Sequence, residues 1–141
     1  MNKKYIEGSK HSMEELLEII HVLRDPNEGC SWDSAQTHET LKKCLQDECE
    51  EVFEAIDKND DENLCEELGD VMLQVLLNAE IASERGAFTF DDVIQGLSDK
   101  LIRRHPHVFG DEKRPDTPEE ALVLWKKVKE KEKQASKFKR R

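Results

Sequence analysis

Glycine and proline are scarce in this chain, six and four residues among 141, and both gather at a few points. Turn-rich β architectures use them far more often, so their scarcity points to long helices. No apolar run approaches membrane-spanning length, and no charged n-region with an apolar h-region opens the chain. The four cysteines, Cys30, Cys44, Cys49 and Cys65, lack CxxC spacing, so they read as reduced thiols of a cytoplasmic protein. No GxxxxGK[ST] loop is present, so a bound triphosphate would be held through metal and side chains. Neither an internal repeat nor a convincing strand alternation can be found.

Positive charge is also in short supply, and it is unevenly placed. The net charge is −10, yet the segment Lys126 to Arg141 holds nine Lys/Arg against two acids. An acidic body disfavours nucleic-acid binding. The basic end reads as a solvated tail, with Phe138 its only aromatic and so no stacking platform for bases. One domain over residues 1–141, with the basic tail from about 126, is the expected organisation.

Helix signals are dense. Ser12 and Glu15 form a capping box ahead of Leu16, Leu17, Ile19, Ile20 and Leu23, predicting a first helix to about Arg24. Asp25-Pro26-Asn27-Glu28-Gly29 stops it, and Gly29 to Asp33 reads as a loop. Thr37 caps a second helix ending near Asp57. A third runs from about Asp61 to Arg85, with Gly86 past its end. Thr89 and Asp92 open a fourth, ended near Arg104 by Pro106, and Thr117-Pro118-Glu119-Glu120 opens a fifth. The expectation is an all-α bundle of about five helices.

Two acidic pairs stand out: Glu48 with Glu51, and Glu67 with Asp70. Spaced i, i+3, each pair leaves one helix face a turn apart. They interrupt apolar stripes, Leu41, Cys44, Leu45, Val52, Ala55 and Ile56 in one helix, and Leu64, Val71, Val75 and Ala79 in the next. The short connector Lys58-Asn59-Asp60-Asp61 would turn these helices antiparallel and bring the pairs face to face. At ~5 Å and an effective dielectric of about 20, two carboxylates repel by roughly 3 kcal/mol. A divalent cation would reverse that repulsion.

The residue types narrow the ion. Carboxylate-only ligation suits Mg²⁺ first, with Mn²⁺ as its substitute. An EF-hand is excluded, because Glu62 and Leu68 occupy the loop positions that need Gly and a bidentate Glu. The Glu-x-x-His of di-iron bundles is absent, and no Cys lies one turn from a His as zinc would prefer. His105 and His107 flank Pro106 in what reads as a structural turn, and His11, His21 and His38 carry no metal role. Lys100 and Arg104 share a face of the fourth helix, and Trp125 and Lys129 share one of the fifth, so these cations can meet phosphoryl oxygens.

Four segments together resemble the MazG-type nucleoside triphosphate pyrophosphohydrolases. They are Gly29-Cys30-Ser31-Trp32-Asp33 with Gln36-Thr37-His38, Glu48-x-x-Glu51, Glu66-Glu67-Leu68-Gly69-Asp70, and Arg103-Arg104-His105-Pro106-His107-Val108-Phe109-Gly110. The resemblance runs from about Leu16 to Lys133. It implies a dimeric all-α fold that binds Mg²⁺ and hydrolyses a nucleoside triphosphate to the monophosphate and pyrophosphate. It places Glu48, Glu51, Glu67 and Asp70 at the metal-ligand positions, and Lys100, Arg104, Trp125 and Lys129 at the nucleotide-contacting ones. Asp47 stands where the family's acidic element begins with Glu, and Ser31 where its loop usually has Pro. Asp47 and Glu48 are the candidates to take a proton from the attacking water. The Asp47 departure keeps a second reading open, a non-catalytic nucleotide-binding or helical interaction module with a structural cation.

Overall fold

The computed structural model describes residues 4–139, and the last two residues of the basic tail lie outside them. Seven helices and no strand occur among the described residues: α1 Met13–Leu23, α2 Ser31–Ala35, α3 His38–Asp57, α4 Asp61–Glu84, α5 Phe90–Arg104, α6 Pro106–Phe109 and α7 Pro118–Lys139. The five long ones are those expected from the caps and stops; α2 and α6 are single turns. None is long and apolar enough to cross a membrane. Contacts divide the chain into two compact units, one through Phe90 and one from Asp91.

In the first unit the caps form largely as the residues dictate. Ser12 Oγ accepts the Glu15 amide at 3.1 Å, but the Glu15 carboxylate meets His11 Nδ1 at 2.9 Å and leaves the box half made. Thr37 and Thr40 close a reciprocal box, each side chain bonding the other's amide at 3.2 and 2.8 Å. Between α3 and α4, Asn59 takes a left-handed φ of 54°, a conformation Asn tolerates. Asp60 then caps α4 by accepting the Asn63 amide. The turn is tight enough to fold α3 and α4 into an antiparallel hairpin.

The core lies where α1, α3 and the C-terminal half of α4 meet. Ile20, Leu41, Leu76, Leu77 and Ile81 form it, backed by Leu16, Leu17, Cys44, Leu73 and Phe90. Each fully buried Leu or Ile contributes about 1.5–3 kcal/mol relative to exposure. The apolar stripes of the sequence reading need correction here. Val75, Leu45 and Ile56 are exposed, whereas Leu76 and Leu77 are 1% and 0% exposed. Adjacent residues on a helix point about 100° apart. Both are buried because α4 packs against α1 and α3 at once and is enclosed over a wide arc.

Of the expected loop over residues 29–33, residues from Ser31 on wind into α2, Ser31–Ala35, through a contact no local pattern announces. Arg24, the C-cap of α1, donates from Nη1 to the Asp33 and Gln36 carbonyls at 2.7 and 2.8 Å. Its Nε and Nη2 fork the Glu84 carboxylate at 2.9 and 2.8 Å. One guanidinium thus ties α1, α2 and α4 together and satisfies carbonyls that a short helix leaves open.

In the second unit α5 stops before Pro106, with His105 Nδ1 donating to the Leu101 carbonyl at 2.6 Å. Thr117 caps α7 by accepting the Glu120 amide, and Glu120 accepts the Asp116 amide in return.

Two glycines make a stability test with opposite signs. A Cβ on Gly29 would stand 2.4, 2.5 and 2.6 Å from the carbonyl oxygens of Leu23, Val22 and Asp25, whereas one on Gly96 would meet nothing within 4 Å. Gly29→Ala should therefore destabilise by about 1–3 kcal/mol, and Gly96→Ala, inside α5, should stabilise by about 0.5–1 kcal/mol. Urea denaturation followed by circular dichroism checks both; equal effects would contradict the packing at Gly29.

Candidate metal centre

The α3–α4 hairpin brings the two acidic pairs together. Glu48, Glu51, Glu67 and Asp70 each offer a carboxylate oxygen, and these atoms all lie within 4.8 Å of one another. Glu67 is only 9% exposed; Glu48 and Asp70 are half-buried and Glu51 is exposed. None of the four forms an ion pair with a Lys, Arg or His among the described residues. Glu48 Oε2 and Glu67 Oε2 are buried without a hydrogen-bond partner. Buried carboxylate oxygens without a donor are costly.

Electrostatics records the crowding. The Glu67 carboxyl is raised from 4.5 to about 7, chiefly because it shares a proton with Glu51, then through burial and the charges of Glu51 and Asp70. Burial, followed by the charges of Glu51 and Asp70, also raises Glu48. Four hard oxygens with no protein cation fit a small divalent ion such as Mg²⁺ or Mn²⁺.

Asp47 is held differently. Its Oδ1 pairs with Lys43 Nζ at 2.8 Å, one turn earlier on α3, and it is not one of the four converging carboxylates. One position before Glu48, it projects about 100° round the helix.

In the second unit α5 and α7 assemble a cationic, aromatic cluster. Arg104 Cζ stands 4.8 Å from the centre of the Trp125 ring and Lys129 Nζ 5.1 Å from it. Each such contact is worth about 0.5–1 kcal/mol where exposed. Lys100 is half-buried on α5, one turn before Arg104. Glu132, which sequence reasoning missed, anchors the arrangement. Its carboxylate accepts from Arg104 Nη2 at 3.0 Å and from Arg103 Nε. Arg104 and Arg103 pull Glu132 from 4.5 down to about 2, so the pair is fully formed above the usual carboxylate range and is lost only as pH falls toward 2. The signal was present in outline: Glu132 lies one turn beyond Lys129 and two beyond Trp125 on the same face of α7. Arg104 Nη1 makes no hydrogen bond among the described residues and can donate to an incoming anion.

These features can be set beside known proteins. Residues 36–109 match the family model of the MazG nucleotide pyrophosphohydrolase domain. Over 120 residues, 85% of the chain, it is 55% identical to the nucleoside triphosphate pyrophosphohydrolase/pyrophosphatase MazG of Thermotoga maritima, covering 45% of that protein. It is 42% identical over 122 residues, 86% of the chain, to the nucleoside triphosphate pyrophosphohydrolase of Escherichia coli K12, covering 46% of it. The chain thus spans less than half the length of these relatives. The crystal structure of a mazG-related protein from Thermotoga maritima superposes with a TM-score of 0.64 at 35% identity, covering 80% of this chain and 97% of that one.

The raised Glu67 sets a pH signature for the metal-free chain. Folded, Glu67 keeps its proton up to about 7, while the unfolded chain releases it near 4.5. The folded state therefore binds more protons in that window, and metal-free stability should fall as pH rises through it. Melting in EDTA between pH 5 and 8 should show this decline, and Glu67→Gln should flatten it. An unchanged slope in the variant would contradict the crowding.

Proposed function

Because the chain belongs to the MazG nucleotide pyrophosphohydrolase family, we propose that it hydrolyses nucleoside triphosphates to nucleoside monophosphate and pyrophosphate in a Mg²⁺-dependent reaction, with Mn²⁺ as a substitute ion. The observation that carries the reading is the convergence of Glu48, Glu51, Glu67 and Asp70, with no ion-pair partner among the described residues. These four residues hold the ion. When bound, it screens phosphate oxygens and acidifies a water. Glu48, whose Oε2 has no hydrogen-bond partner, takes the proton of the attacking water, with Asp47 as the second candidate. Lys100 and Arg104 stabilise negative charge on the departing pyrophosphate. Trp125 and Lys129 contact the nucleotide. The four free thiols suit a reducing cytoplasm.

A non-catalytic nucleotide-binding module with a structural cation is the second reading, favoured by one observation. Asp47, already shorter than the family's Glu, is paired to Lys43.

Pyrophosphate release, followed by a coupled assay over the common ribo- and deoxyribonucleotides with and without Mg²⁺, separates the two readings. Monophosphate and pyrophosphate should be the products; diphosphate as the main product would place cleavage at the wrong bond. Glu51→Gln and Asp70→Asn should abolish turnover with helicity intact. Arg104→Ala should keep the metal residues, weaken nucleotide binding and slow the reaction roughly 10–1,000-fold, on the order of 1.4–4 kcal/mol. Full activity in Asp70→Asn would sink the catalytic assignment.

The partner copy is part of the same proposal. Leu73, Leu76 and Leu77, which lie beside the stripe read from the sequence, leave no apolar surplus for a partner, because they are taken up by the core or packed against it. Leu45, Phe53 and Ile56 on α3, and Leu68, Met72 and Val75 on α4, are exposed instead. Exposed apolar side chains on two adjoining helices favour association, here with a second copy. Light scattering at micromolar concentration should give at least a dimer, and Phe53→Asp with Met72→Asp should shift it to monomer. A monomeric wild type would refute this part.

A further inference from the structure

One buried oxygen beside the acidic cluster has no part in the assignments above. Gln74 lies on α4 one turn beyond Asp70 and two beyond Glu67, so its side chain shares their face. It is 4% exposed, and its Oε1 has no hydrogen-bond partner. The next polar residues along this face are fully engaged. Asn78 Nδ2 donates to the Gln74 carbonyl at 2.7 Å. His38 Nδ1 meets Asn78 Oδ1 at 2.8 Å, and Arg85 Nε donates to His38 Nε2 at 3.2 Å.

Satisfaction stops where the acids begin. Glu48 Oε2, Glu67 Oε2 and Gln74 Oε1 are all buried acceptors without donors. A buried amide oxygen left unmet costs about 1–3 kcal/mol. Unmet acceptor atoms on both helices, beside four converging carboxylates, are what a cation, or water held by one, would satisfy. Four carboxylates do not fill the octahedral shell of Mg²⁺, which keeps several waters and sheds them reluctantly. Residues that hold such waters tune affinity nearly as strongly as the ligands.

We propose that Gln74 belongs to the cation centre as a positioning residue, its Oε1 accepting a hydrogen bond from a water of the ion's hydration shell; this rests on the metal reading of the four carboxylates. The role is distinct from core packing, because an apolar side chain of similar size would fill the same space without accepting.

Calorimetric titration of Mn²⁺ and Mg²⁺, without nucleotide, into wild type, Gln74→Leu and Gln74→Glu tests it, together with melting in EDTA. Gln74→Leu should bind the ions about 10-fold more weakly, yet melt higher than wild type in EDTA, since an unmet carbonyl has been removed. Gln74→Glu keeps an acceptor and should bind at least as tightly as wild type. Wild-type affinity in Gln74→Leu overturns the proposal, as does weakened binding in both variants. Lower melting of Gln74→Leu in EDTA assigns the residue to packing and overturns it as well. A wild type that takes up neither ion defeats the metal reading itself, an outcome visible before any variant is compared.

Discussion

The α3–α4 hairpin is organised around a repulsion. Four carboxylates converge on its inner face, none of them paired with a cationic side chain among the described residues, and one is pushed toward neutrality by the crowding. A small domain is stable by only about 5–15 kcal/mol, so an arrangement costing several of them needs a compensating occupant. On the reading proposed above, a divalent ion is that occupant, and the same ion serves the phosphate chemistry. Local instability and the proposed function are then two aspects of one cluster.

The rest of the first unit is built to hold that hairpin in register. Asn59 in its left-handed turn and the Asp60 cap set where α4 starts relative to α3. At the far end of α4, the His38–Asn78 contact and the Arg24–Glu84 fork pin it to α3 and α1. The leucine core sits between these anchors and the acids. Burial thus stabilises one half of the hairpin while the other half carries the charge, and Phe53, Ile56, Leu68 and Met72 are exposed on that charged half. A cluster of like charges can be carried only where the adjoining scaffold is well packed.

The second unit solves a related problem with opposite sign. Arg103 and Arg104 are adjacent, and Glu132 accepts from both while Trp125 offers its ring face to Arg104 and Lys129. The carboxylate fixes one edge of the Arg104 guanidinium, and Nη1 makes no hydrogen bond among the described residues. Under the function proposed above, such preorganisation would reduce the entropy lost when an anion arrives. It also accounts for Glu132, an acid within an otherwise basic run.

Much of this was determined by the sequence alone. Ser12, Thr37, Asp60 and Thr117 act on amides within one turn, and Pro106 and Gly86 stop helices through their own backbone geometry. The five long helices were therefore legible residue by residue, as was the facing of the two acidic pairs across the short connector that begins at Lys58. What only the tertiary structure decided involves partners distant in the chain. Arg24 winds residues 31–35 into a helix while holding Glu84, 60 residues away. Glu132 reaches Arg104 across 28 residues. Leu76 and Leu77 are both buried, and Val75 is not, because α1 and α3 enclose α4 from two sides. Capping and periodicity are properties of a single turn, and sequence carries them directly. Which side chain meets which across packed helices depends on the summed geometry of all of them.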